Sequence, residues 1–235
     1  MQVLLIASTV MWRGAVDLRT PYVDQFDATE SDTLAEFAGR NCYQAWERKN
    51  PKTQTNEGYL ANILKQGHES VLEHASATFF VEGVSRSLTH ELIRHRHLSF
   101  SELSQRYVNV EDAPMVTPPA LAGDYDGPDA VVAPYWANAH IHMEEAYRRT
   151  VDFLIEEGFN RKQAREAARA VMPNATETKI VVSGNMRAWR DVLKKRYHVA
   201  ADAEIREFAT EVLRQLREIA PNTFQDIPET PYGME

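Results

Sequence analysis

The chain has 235 residues, 26% of them charged and 43% hydrophobic, with a formal net charge of -8. Such a length suits one elaborated domain better than two independent ones, and no apolar run reaches the roughly 20 residues that a membrane-spanning helix needs. The acidic balance argues against broad nucleic-acid binding, since duplex affinity rests on neutralising phosphates with a basic surface.

The opening segment MQVLLIASTVMW has no basic n-region and no small-residue cleavage site, so it reads as a buried strand near 2–8 rather than a signal peptide. A cytoplasmic location is expected. Cys42 is the single cysteine, which excludes an intramolecular disulfide and a thiolate metal cage and suits a reducing compartment.

A helix is expected near 31–47, with Leu34, Phe37, Ala38, Cys42 and Ala45 on one face and Cys42 therefore in the core. A second helix near 57–66 ends at Gly67, a residue type that tolerates the left-handed C-terminal conformation. HESVLEH then forms a turn, and Ala75 to Val81 has the β-branched and aromatic content of a strand. Ser85 caps a helix that runs to about residue 97. Residues 111–134 hold five prolines and two glycines and form a surface excursion. Beyond it lie helices near 135–157 and 161–172, the latter stopped by Pro173, then a strand at 177–183 and helices near 185–196 and 202–219. The expected fold is α/β of the α+β type, one domain over 1–220 with a mostly antiparallel or mixed sheet flanked by helices, and a tail over 221–235.

The segment RHRHLSFSELSQRY, residues 94–107, packs three arginines, two histidines, three serines and a glutamate into fourteen positions. A solvated helix end followed by a polar loop is its plain reading. Arg86, His90 and Arg94, however, recur at i, i+4 and i+8, which on a continuous helix lines them up toward one anion. Arginine suits phosphate because its planar fork makes paired hydrogen bonds, and Ser104, Arg106 and loop amides can complete the cradle. Glu102, an acceptor, suits a ribose hydroxyl or a ring N–H. Arg161, Arg165 and Arg169 form a second basic stripe, and Asn185, Arg187 and Arg196 a third. Concentrating arginines in an acidic protein draws anionic substrates into a cleft. Spacing does not name the nucleotide.

RHR followed after seven residues by Ser104, within ELSQRY, resembles the signature of the flavin-dependent thymidylate synthases. The similarity continues through EFAGRNCYQAW at 36–46, GHESVLEHA at 67–75, QAREAARAVMPNATET at 163–178 and GNMRAW at 184–189, and reaches about residue 220. The resemblance implies a homotetramer whose active sites lie between subunits and hold FAD beside dUMP. It implies methylation of dUMP to dTMP, with 5,10-methylenetetrahydrofolate as one-carbon donor and NADPH re-reducing the flavin. By position it assigns Ser70, Arg94, His95, Arg96, Glu102, Asn185, Met186, Arg187 and Asp191 to the flavin. Arg86, Glu91, Leu92, Ile93, Arg94, Glu102, Leu103, Ser104, Gln105, Arg106, Arg169 and Arg196 are assigned to dUMP. Arg196 matches the residue that favours ionisation of the pyrimidine at N3.

An arginine is effectively always protonated, so its role there is electrostatic rather than that of a base. No GxGxxG fingerprint follows the first strand. Asp191 stands where the family has asparagine or histidine, and Ser101 where asparagine is frequent. The family's histidine four residues after Arg196 is Ala200 here, and His198, two residues after Arg196, receives no flavin role from the resemblance.

Two other classes compete. A metal-dependent nucleotide phosphohydrolase would draw on His68, Glu69, Glu73, His74, His90, His95 and His97, but HESVLEH separates its histidines by six positions, not the four of HExxH. No metal is therefore expected. An RNA-binding module would use Tyr107 and the basic stripes, against the negative net charge.

Overall fold

The computed structural model describes residues 1–17, 28–46, 51–121 and 129–234. The chain is a mixed helix and sheet protein, as the sequence predicts, with a four-stranded antiparallel sheet in the order β1-β2-β4-β3. The strands are β1 (Gln2–Ser8), β2 (Ser76–Ser85), β3 (Ser99–Glu102) and β4 (Glu177–Asn185). The helices are α1 (Arg13–Asp17), α2 (Glu30–Tyr43), α3 (Asn56–Gln66), α4 (Arg86–Leu92), α5 (Asp129–Glu156), α6 (Arg161–Ala168), α7 (Met186–Arg196) and α8 (Ala203–Ile219). Short 3-10 turns occupy Glu69–Glu73, Pro119–Leu121 and Arg169–Val171. Among the described residues no helix is long and apolar enough to cross a membrane.

Two compact units emerge from the internal contacts. The first comprises Met1–Gln2, Val81–Leu92 and Ser101–Ile180; the second comprises Val3–Phe80, Ile93–Phe100 and Val181–Glu235. In the first unit, buried Val110, Tyr147 and Ala168 form a core with Leu103, Val151 and Met172 against it. Asn160 and Gln163 close a reciprocal capping box at the start of α6, satisfying two of the orphan donors there. In the second unit the fully buried Trp189 meets Phe79 edge-on, with centroids 5.0 Å apart, and its Nε1–H donates to the Ala77 carbonyl at 3.2 Å. An aromatic pair in this geometry adds to plain area burial. Asp202 caps α8, and Gly67 ends α3 at φ 68, as its type suggests.

Several local expectations are corrected. β1, expected as a buried strand, buries only Val3 and leaves Leu4 and Ile6 exposed. Cys42 is exposed, not core. The face of α2 that turns inward is instead a polar one: Asp32, Glu36 and Arg40 are all at most 1% exposed. They can be buried because each is satisfied. Arg40 Nε donates to Glu36 Oε1 at 2.6 Å and its Nη2 to the Thr53 carbonyl at 2.8 Å, while its guanidinium lies 4.5 Å from the centroid of the Tyr59 ring. Asp32 accepts from the Thr223 hydroxyl at 2.6 Å and from the backbone N–H groups of Asn222 and Thr223 at 2.9 and 3.0 Å.

The helix expected to run from Ser85 to about 97 stops at Leu92, so Arg94 leaves the stripe begun by Arg86 and His90. Polar residues 99–102, expected in a loop, pair as β3 beside β4. Finally, α6 ends at Ala168, which places Arg169 in the following 3-10 turn rather than on the helix with Arg161 and Arg165. α5 starts earlier than expected, at Asp129, which puts Pro134 inside the helix, in its second turn. Residues 122–128 of the proline-rich excursion lie outside the described residues.

Candidate active site

The second unit contains a cavity of about 940 Å³. α7 supplies much of its wall, and the sequence GN at 184–185 explains how. Asn185 caps α7, its Oδ1 accepting the Ala188 N–H at 2.8 Å, which leaves the amide Nδ2 as the group available to a ligand. Two and six residues further along, Arg187 and Asp191 reach the same cavity. These are three of the side chains that the sequence assigns to the flavin.

Met186, also assigned there, buries its side chain to 1% exposure, so only its backbone can meet a ligand. Ser70 is exposed on the 3-10 turn between Glu69 and Glu73, both of which line the cavity.

Beside Asp191 the RHR triplet divides by side-chain direction. Arg94 and Arg96 are exposed, whereas His95 is buried at 6%. His95 Nε2 accepts from Arg196 Nε at 3.1 Å, so in the neutral ring the proton sits on Nδ1, 3.4 Å from Asp191 Oδ2. Burial lowers the His95 pKa, the Arg196 cation lowers it further, and Asp191 offsets part of the effect. Burial works against ionisation of Asp191, but the Lys195 ammonium at 2.7 Å and His95 outweigh it and hold its carboxyl below the usual range. An aspartate, a neutral imidazole and a guanidinium thus lie in a row.

Sequence reasoning missed the carboxylates facing these cations. Arg187 pairs with Glu73, and Arg190 makes two 2.7 Å bonds to Asp226 and one of 2.6 Å to the Thr223 carbonyl. HESVLEH offered a signal for Glu69 and Glu73, since its glutamates lie four apart. Asp226 gave none, because its contact with Arg190 spans 36 positions.

The first unit holds most of the residues assigned to dUMP: Arg86, Glu91, Leu92, Glu102, Leu103, Ser104, Gln105, Arg106 and Arg169. Glu102 accepts from the Thr89 hydroxyl at 2.9 Å and pairs with Arg86 at 3.0 Å. The Ser104 carbonyl accepts the Tyr107 and Val108 N–H groups, a turn that directs Gln105 inward and sets Arg106 2.8 Å from Glu166. Leu92 is fully buried and Leu103 packs beside Tyr147. Arg169 is exposed, while Arg161 and Arg165 line a separate small cavity of about 90 Å³. Ile93, Arg94 and Arg196 belong to the second unit. Among the described residues no three His, Cys, Asp or Glu side chains cluster in a way that could hold a metal ion.

The family profile described as "Thymidylate synthase complementing protein" matches residues 26–222. A probable flavin-dependent thymidylate synthase of Mycobacterium phage D29 is 55% identical over 239 residues, covering 99% of both chains. The flavin-dependent thymidylate synthases of Mycobacterium marinum and Mycobacterium tuberculosis are 51% and 50% identical, each over 87% of this chain and 82% of theirs. With a family profile matching most of the chain and relatives 50–55% identical over 87–99% of it, the chain belongs to the family of flavin-dependent thymidylate synthases.

Proposed function

We propose that this enzyme methylates dUMP to dTMP with 5,10-methylenetetrahydrofolate as one-carbon donor, FAD as cofactor and NADPH as reductant. The observation that carries the reading is the placement of Asn185, Arg187 and Asp191 on one large cavity, next to the Asp191–His95–Arg196 row. At about 940 Å³ the cavity lies near the upper end of the roughly 300–1,000 Å³ typical of ligand sites, which fits a dinucleotide. Its donors, the Asn185 amide and the guanidinium of Arg187, suit phosphate and carbonyl oxygens.

When bound, reduced FAD supplies the hydride that completes the methyl group, and NADPH restores its reduced form. The protein's part is orientation and charge stabilisation. Arg196 remains a cation throughout, so it stabilises negative charge as it develops on the pyrimidine and takes no proton itself. His95 orients that guanidinium by accepting from its Nε and, being neutral, adds no competing charge. Thr89 and Arg86 hold the Glu102 carboxylate in place as an acceptor for a ribose hydroxyl or ring N–H.

A homotetramer with shared sites belongs to the same reading. It is supported by exposed Leu4, Ile6, Val10 and Trp12 at and after β1, a run of apolar surface that a second copy would cover. A cytoplasmic location belongs to it as well, in line with the single cysteine.

The deciding experiment is anaerobic dTMP formation from dUMP, methylenetetrahydrofolate, NADPH and FAD, together with the visible spectrum of the purified protein. A yellow protein that forms dTMP is expected. A colourless protein that neither binds added FAD nor forms dTMP overturns the proposal.

A further inference from the structure

The residues matched to the family end at 222, yet the cavity does not. Asp226, Ile227 and Tyr232 line it, all from a segment that the sequence reading treated as a tail. We propose that Asp226–Gly233 is a built wall of the flavin cavity, and that it presents His198 Nε2–H as a hydrogen-bond donor to the flavin. The inference rests on the flavin reading above and adds a binding residue to it.

The segment is pinned at several points. Tyr232 pairs with the residue stretch after α7: its N–H donates to the Tyr197 carbonyl at 3.0 Å, and its carbonyl accepts the Val199 N–H at 2.9 Å. The Tyr197 hydroxyl donates to the Glu229 carbonyl at 2.6 Å, and Arg217 bonds the Ile227 carbonyl at 2.6 Å and Glu229 Oε2 at 2.7 Å. Asp226 holds Arg190 through two bonds of 2.7 Å. Ile227 is only 4% exposed. A chain end with this many fixed backbone groups is part of the fold rather than a fraying terminus.

Gly233 shows what the segment does to His198. It has φ 83, a conformation that costs any residue with a Cβ, and a Cβ there would lie 2.7 Å from Val199 Cγ2, 3.4 Å from His198 Cε1 and 3.7 Å from His198 Nε2, so only glycine leaves the Nε2 side of the ring clear. Glycine thus lets the chain lie against the imidazole edge. On the other side of Cε1, His198 Nδ1 accepts the Ala200 N–H at 3.0 Å. A neutral ring whose Nδ1 accepts carries its proton on Nε2. Among the described residues Nε2 has no protein partner, while His198 lines the cavity. A donor fixed in tautomer and orientation, and left without a protein acceptor, is what a ligand acceptor requires.

The test is titration of FAD into flavin-stripped protein, followed by flavin fluorescence quenching, with thermal melts as a check on folding. His198→Asn keeps an oxygen where Nδ1 accepts the Ala200 N–H but loses the Nε2 donor; His198→Gln places an amide N–H near Nε2. Losing one neutral hydrogen bond predicts FAD binding about three- to tenfold weaker in His198→Asn. Binding in His198→Gln should stay within about twofold of wild type. Gly233→Val should weaken binding at least as much as His198→Asn, by displacing the wall. Wild-type affinity in His198→Asn, or equal losses in the Asn and Gln variants, overturns the donor role. Wild-type protein that does not bind FAD refutes the functional reading itself, before these variants bear on it.

Discussion

The row Asp191–His95–Arg196 predicts a pH dependence that can be measured without any ligand. His95 is 6% exposed and its Nε2 accepts from Arg196 Nε at 3.1 Å, so protonation sets two donors against each other and two cations side by side. Two unit charges about 4 Å apart near a protein surface repel by about 4 kcal/mol, of which Asp191 returns a part. The pKa of His95 is accordingly depressed in the fold, through burial first and Arg196 second. Below the ordinary histidine value of about 6.5 the unfolded chain binds a proton that the folded chain refuses. Stability is therefore lost as pH falls from about 6.5 toward the depressed folded value, at no more than about 1.4 kcal/mol per pH unit from this one group. The assay is urea unfolding of flavin-free protein at fixed concentration at pH 7.5, 6.5 and 5.5, comparing wild type with His95→Gln. Wild type should lose up to about 1 kcal/mol more than the variant between pH 6.5 and 5.5. Equal losses in the two proteins refute the assignment of a neutral His95.

Arg196→Lys should lower the rate of dTMP formation by about a hundredfold or more, the usual cost of removing one preorganised charge-stabilising group, while FAD absorbance is retained; near-normal turnover removes Arg196 from the chemistry. Arg40→Met strands the Glu36 carboxylate at 1% exposure and should destabilise by about 3–5 kcal/mol in urea unfolding, with a change under about 1 kcal/mol showing that water reaches the network. Trp189→Ala removes the largest side chain of the second unit's core together with its bond to Ala77, and should cost about 3–5 kcal/mol by the same measurement, a loss under about 1 kcal/mol contradicting its place in the packing.

Local chemistry was enough for the elements whose signals are local. Gly67 ends α3 where its residue type places that end, and α6, α7 and α8 begin within one residue of the expected starts, each capped by the residue before it. The segment 94–107 was legible as an anion-binding candidate from its arginines and their assumed helical spacing, although that spacing is broken where α4 ends at Leu92. The inward face of α2 was not. Apolar periodicity pointed to Leu34 and Cys42, but Asp32 is satisfied by Thr223, 191 positions away, and that pairing leaves no trace in a local window.

The end of α4 at Leu92 has the same character. The sequence allowed a helix through the arginine and histidine cluster, whereas the structure ends it at Leu92 and sets the His95 imidazole against Asp191 and Arg196, about a hundred positions away. By itself the sequence determined the family and most of the strands and helices, and it singled out the arginines as anion-binding candidates. The tertiary structure decided which of those charges meet, that Arg187 and Arg190 answer to Glu73 and Asp226, and that the last residues close a cavity. The physical reason is range: capping and periodicity act over one turn of chain, whereas burying a charge depends on partners that only folding brings within about 3 Å.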